Sequence, residues 1–167
     1  MKHLFPTRSA FVLVAAVLGT ACGAAQAQVT VQDAWVRATV PQQKATGAFM
    51  RLQSSKDVRL VSVSTPAAPV AEVHEMKMVD NVMKMRAVPS LPLPAGQTVE
   101  LSPGGFHVML MDLPAQVKQG DAVPLTLVFE GKDGQRETVQ VQAQARSVGA
   151  SAPAASSHGN HGGAHKH

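Results

Sequence analysis

Apolar residues recur at every second position over most of the chain from Val29 to Val148, and this period restricts the chain to strands. The clearest stretch is Glu137–Arg146, where Val139, Val141, Ala143 and Ala145 alternate with Gln140, Gln142 and Gln144. Successive side chains of a strand point to opposite faces, so such a run makes one apolar face and one wet face. The same period predicts strands at Val29–Asp33, Trp35–Thr39, Ala45–Gln53, Arg59–Ser64, Ala71–Val79, Val82–Val88, Thr98–Ser102, His107–Leu113 and Val123–Glu130. Turn residues punctuate them. Asp80-Asn81 predicts a tight hairpin, Pro92-Leu93-Pro94-Ala95-Gly96 and Pro103-Gly104-Gly105 bracket the seventh run, and Gly131-Lys132-Asp133-Gly134 closes the last hairpin. No window carries a long 3.6-residue apolar pattern. The expectation is an all-β chain, folded as an antiparallel Greek-key sandwich or barrel.

The two ends read differently. Residues 1–27 have the form of a secretory signal: Lys2 and Arg8, a short apolar run from Ala10 to Leu18, and a small-x-small cleavage site at Ala25-Gln26-Ala27. The apolar run is too short to span a membrane comfortably. Lipid attachment at Cys22 is the lesser option, because Leu18 stands one position too early in Leu18-Gly19-Thr20-Ala21-Cys22. Cys22 is the only cysteine, so cleavage after Ala27 leaves a chain without thiols. That excludes disulfides, thiolate metal sites and CxxC redox chemistry in an oxidising, periplasmic location. Residues 28–148 would then form one domain. Residues 149–167, rich in Ala, Ser, Gly and His, cannot bury a core and are expected to be a disordered tail. Removing Lys2 and Arg8 leaves 13 basic against 11 acidic residues. With no basic run and 4% aromatics, nucleic acid is not expected as a partner.

Two His-x-Met pairs lie on predicted strands, His74-Glu75-Met76 and His107-Val108-Met109, with Met85 between them. For 7 His and 8 Met in 167 residues, about 0.3 such pairs are expected by chance. In a strand, residues two apart share a face, so each pair sets an imidazole beside a thioether. Imidazole suits copper, and thioether sulfur selects Cu(I). Parity also places Met111 with His107, Met78 with His74, and Met83 with Met85. Methionine is equally a filler of aromatic-poor cores, and parity alone leaves open which sulfurs would meet a metal. In the tail, His158, His161, His165 and His167 form a second candidate site, for Cu(II), Zn(II) or Ni(II).

The four-residue spacing resembles one family. Ten residues separate His74 from Met85, 21 separate Met85 from His107, and His107-x-Met109 follows. This is the signature of the periplasmic copper chaperones called PCuAC, and the surroundings Ala34-Trp35-Val36-Arg37, Glu72-Val73-His74-Glu75-Met76, Val82-Met83-Lys84-Met85-Arg86 and Gly104-Gly105-Phe106-His107-Val108-Met109 agree with it. The resemblance implies a cupredoxin-like fold and one Cu(I) held by His74, Met85, His107 and Met109, with Met76 as an alternate ligand. Glu75, Lys84 and Arg86 are read as an ordinary solvated face. The resemblance further implies delivery of Cu(I) to the copper centre of cytochrome c oxidase subunit II, alongside a Sco-type thiol partner. A thiol-free chain cannot reduce that centre's cysteines, so metal supply alone is expected. Such a protein breaks no substrate bond and is no enzyme. The alternative is a periplasmic buffer of copper with no dedicated recipient. Blue-copper electron transfer needs a His₂Cys site, which the mature chain lacks.

Overall fold

Ten strands and no helix make up residues 28–147, which the computed structural model describes. They are β1 (Val29–Arg37), β2 (Ala45–Ser54), β3 (Val58–Ser64), β4 (Val70–Val79), β5 (Val82–Ala87), β6 (Leu91–Leu93), β7 (Thr98–Leu101), β8 (Phe106–Met111), β9 (Ala122–Gly131) and β10 (Arg136–Arg146). They form one sheet in the order β5-β4-β8-β7-β2-β1-β10-β9-β3-β6, with β8 also pairing β2. The sheet curls into a half-barrel around a core that includes Val36, Leu52, Leu60, Val108, Leu110, Leu125, Leu127 and Phe129. The predicted signal and the His-rich tail lie outside the described residues. Within those residues no helix is long and apolar enough to cross a membrane.

The expected all-β architecture is present, with three differences of detail. The two predicted strands Val29–Asp33 and Trp35–Thr39 are one strand, β1, interrupted by a bulge between Gln32 and Trp35. Asp33 sits there at φ 51°, a left-handed conformation that Asp tolerates better than most residues. The bulge resets the face. Val31 pairs with core Leu52, whereas beyond the bulge Val36 takes the inward side and Trp35 pairs with outward Phe49. Secondly, Leu91–Leu93 reads as a proline turn but is an edge strand. Leu91 and Leu93 are buried against β3, and Pro92 is tolerated because an edge strand has one unpaired side. Thirdly, β1–β10 and β7–β8 run parallel, so the sheet is mixed and not strictly antiparallel. Period-two alternation carries no information about strand direction, which is why the sequence could not reveal this.

The turns behave as their residues require. Asp80 and Asn81 adopt φ 52° and 59°, the pair of positive values that a type I′ hairpin needs. They join Val79 to its partner Val82. Gly104 at φ 88° turns the chain from β7 into β8. The next residue, Gly105, offers one carbonyl to two donors, the Met76 amide at 3.1 Å and His107 Nδ1 at 3.0 Å.

Candidate metal centre

The register brings the predicted site residues onto one face. His74 of β4 lies directly across from His107 of β8, and Met76 lies across from Met85 of β5. Met109 lies across from Gly47 of β2 and from Glu72 of β4. Alternation sends Val73, Val108 and Ala48 inward to the core, so His74, Met76, His107 and Met109 occupy the outer face of the sheet. The imidazole centroids of His74 and His107 are 6.1 Å apart. His107 is buried and the His74 side chain nearly so, while Met76 and Met109 are half-buried and Met85 is exposed.

A cavity of about 270 Å³ opens on this face, lined by Met76, His107, Met109, Gly47, Phe49 and Arg37 among others. Gly47 is required there. A Cβ would fall 2.8 Å from Phe49 Cζ, so the ring lies where a side chain at position 47 would stand. Phe49 continues into Trp35, with centroids 4.4 Å apart. Phe49 walls one side of the cavity, with Trp35 packed against it. Neither His74 nor Met85 is part of its lining: His74 stands across from His107 on β4, and Met85 stands across from Met76 on the hairpin beyond. A larger hollow, about 680 Å³, lies against β6 at the other end of the strand order. It holds Asp57, Arg59, Glu130 and Lys132, whose charges pair with one another, and it has no His or Met.

Each imidazole has one nitrogen committed. His107 Nδ1 donates to the Gly105 carbonyl at 3.0 Å, which leaves Nε2 as the lone-pair nitrogen. His74 Nε2 contacts Glu72 Oε2 at 3.1 Å, and its Nδ1 is buried without a hydrogen-bond partner. A buried nitrogen without a partner is costly, and a metal ion satisfies it. Holding one ring nitrogen by a carboxylate or carbonyl so that the other faces a metal is the usual supporting arrangement for ligating histidine. Among the described residues no three His, Cys, Asp or Glu come together. The donors on this face are two imidazoles and neutral sulfurs, which suit Cu(I).

Sequence reasoning found the histidines and methionines but missed three supports. Glu72 was legible, since it shares the parity of His74. The Phe49–Trp35 wall was not, because it depends on the bulge in β1. The Gly105 carbonyl was not, because the backbone conformation of the β7–β8 turn aims it at His107 Nδ1.

The curled all-β fold that carries this His/Met face is shared with known proteins. The chain belongs to the PCuAC-related family described as "Putative lipoprotein LpqE-like", which matches residues 29–144. A protein of Leifsonia xyli subsp. xyli named "Putative lipoprotein Lxx21020" is 32% identical over 114 residues, 68% of each chain. Two solution structures of DR1885 from Deinococcus radiodurans are similar. The apo form is 32% identical with a TM-score of 0.53, covering 87% of this chain and 97% of that one. The Cu(I) form is 37% identical with a TM-score of 0.54, covering 75% and 83%. The apo PCuAC domain of PmoF1, 24% identical, shares the fold with a TM-score of 0.59 over 73% of this chain and 96% of that domain.

Proposed function

We propose that this protein is a periplasmic Cu(I) metallochaperone that binds one ion at the His/Met face and passes it to the copper centre of cytochrome c oxidase subunit II. The observation that carries the reading is the pairing of His74 with His107 across β4 and β8, with one nitrogen of each ring left to a metal and thioethers on the same face. The Cu(I) form of DR1885 supports the choice of ion. His74, His107 and Met109 are the proposed ligands, with Met85 or its cross-strand neighbour Met76 completing the set.

Neutral donors hold Cu(I) without a buried negative charge, and Arg37 in the cavity wall adds a like charge beside it. Both features favour release to a recipient's thiolate, which would displace the thioethers one by one. The protein breaks no bond in this role and is not an enzyme. A Sco-type thiol partner would keep the recipient's cysteines reduced. His158, His161, His165 and His167, outside the described residues, would gather Cu(II) and feed the folded site. Export is part of the proposal. The intact mass of the mature chain separates a start at Gln28 from lipid attachment at Cys22.

The test is anaerobic Cu(I) titration against a chromogenic chelator. One tight equivalent is expected at the folded site. His107→Ala and Met109→Ala should each weaken it by more than the roughly 10–100-fold typical of losing a supporting residue, with the circular dichroism unchanged. Loaded protein is then mixed with the apo copper domain of subunit II. Appearance of the binuclear copper spectrum supports delivery; tight binding without transfer makes the protein a buffer. Failure to bind Cu(I) sinks both.

A further inference from the structure

The β4–β5 hairpin presents four sulfurs, and the His/Met centre accounts for only the inner two, Met76 and Met85. Beyond the Met76 amide, which bonds to Gly105, the hairpin leaves the body of the sheet. Every residue of β5 is exposed. On one face of this finger Met76 lies across from Met85, and Met78 lies across from Met83. The exposures of Met78, Met83 and Met85 are 57%, 45% and 50%. Core packing does not explain them. Among the described residues the buried hydrophobic core contains one methionine, Met50, and is otherwise built from Val, Leu, Ala and Phe. Protection of a sheet edge does not explain them either, since edges are normally guarded by charge or proline. Of the charged residues beyond His74, Glu75, Lys77, Lys84 and Arg86 stand on the other face, and Asp80 lies in the turn.

Directly opposed side chains in a sheet have Cβ atoms about 5 Å apart, and neighbours two apart along a strand are about 7 Å apart. Each methionine pair can therefore close on one small ion, and adjacent pairs lie within one side-chain length. The inner pair reaches the centre already described, because Met76 lines the cavity with His107 and Met109. The cross-strand partner of each of these sulfurs is another sulfur, not a carboxylate, and a site made of thioethers alone selects Cu(I).

We propose that Met78 and Met83 form a second, all-thioether Cu(I) site at the end of the hairpin, from which the ion moves through Met76 and Met85 to the two imidazoles. The ion keeps its charge throughout; one thioether bond forms as another breaks. The site extends the Cu(I) reading of the His/Met face and rests on it. Without imidazole it is the weaker of the two, so it fills second and loads the first.

The test uses the full chain labelled with ¹³C at the methionine methyls, titrated anaerobically with Cu(I) to two equivalents. The first equivalent should shift Met109 and the inner pair; the second should shift Met78 and Met83. The double variant Met78→Leu/Met83→Leu keeps apolar bulk and removes sulfur. It should lose the second event, keep the first, and load the first site more slowly in stopped-flow mixing. If the first equivalent binds and the Met78 and Met83 methyls stay still to two equivalents, the hairpin site is refuted and the His/Met centre stands. The hairpin is equally refuted if the double variant matches the wild type in stoichiometry and loading rate. Shifts at Met78 and Met83 without any at Met109 overturn the His/Met reading, and the transfer proposed from the hairpin falls with it.

Discussion

At residue scale the centre depends on groups that do not themselves have to touch a metal. Glu72 holds His74 Nε2 and thereby leaves Nδ1 as the unpartnered nitrogen. Loss of such a support typically weakens a metal site by about 10–100-fold. Glu72→Ala is accordingly expected to weaken Cu(I) binding by that factor while leaving the fold intact, as read by the anaerobic titration and by amide chemical shifts. Equal affinity in the variant would mean that the carboxylate contact is incidental. His107 has no comparable handle for mutation, because its partner is the backbone carbonyl of Gly105. That difference also explains what could be read beforehand. Glu72, two residues from His74, lay within reach of a parity argument, whereas Gly105, equally two residues from His107, acts through a backbone carbonyl whose direction is set by the turn before β8.

At the scale of the element, the β4–β5 hairpin has two unlike faces, one of sulfur and one of charge. On the charged face Glu75 and Arg86 form an ion pair at 2.7 Å, while Lys77 and Lys84 stand directly opposite each other. Like charges directly opposed across a strand pair are destabilising, and an opposite-charge pair contributes roughly 0.2–1 kcal/mol. Lys84→Glu should therefore raise the protection of the hairpin amides in hydrogen exchange, and more so at low salt because both side chains are solvent-exposed. Unchanged or lower protection would show that the lysines already avoid one another. The turn itself was legible from Asp80-Asn81 between alternating strands, and so was the grouping of Met76 with Met78 and of Met83 with Met85. The pairing of Met76 with Met85 followed once the two-residue turn fixed the register.

At the scale of the whole molecule, the metal face and the charged cluster at the β3–β6–β9 end are separate, so metal binding and acid stability should respond to different mutations. The Lys132 ammonium beside Asp57, helped by the Ala95 amide, holds that carboxyl below its ordinary 3.8. Hydrogen bonds from Arg59 and Arg136 hold Glu130 below its ordinary 4.5. A carboxyl whose folded value is depressed stabilises the fold above the unfolded value and loses that contribution as pH falls through the folded one. The thermal midpoint is thus expected to fall as the pH drops below about 4.5, where these groups take up protons. The double variant Asp57→Asn/Glu130→Gln should be less stable near neutrality and show a flatter acid limb. An identical pH profile would remove these two groups from the account.

The alternation of apolar and polar residues was enough to establish an all-β chain, nearly every strand, the hairpin turns and the membership of His74 and Met76, and of His107 and Met109, on shared faces. These are local properties: a side-chain period of two and a backbone conformation that particular turn residues favour. Strand direction, the bulge that turns Trp35 outward, the proline-bearing edge strand, and the meeting of His74 with His107 came only from the tertiary structure. Each depends on which segments, distant along the chain, lie side by side, and a local period says nothing about that. So does the split between Met76, inside the cavity wall, and Met85, outside it on the exposed hairpin. The spacing of residues named the candidate donors, but only the pairing of β5, β4, β8 and β2 decided how they stand to one another.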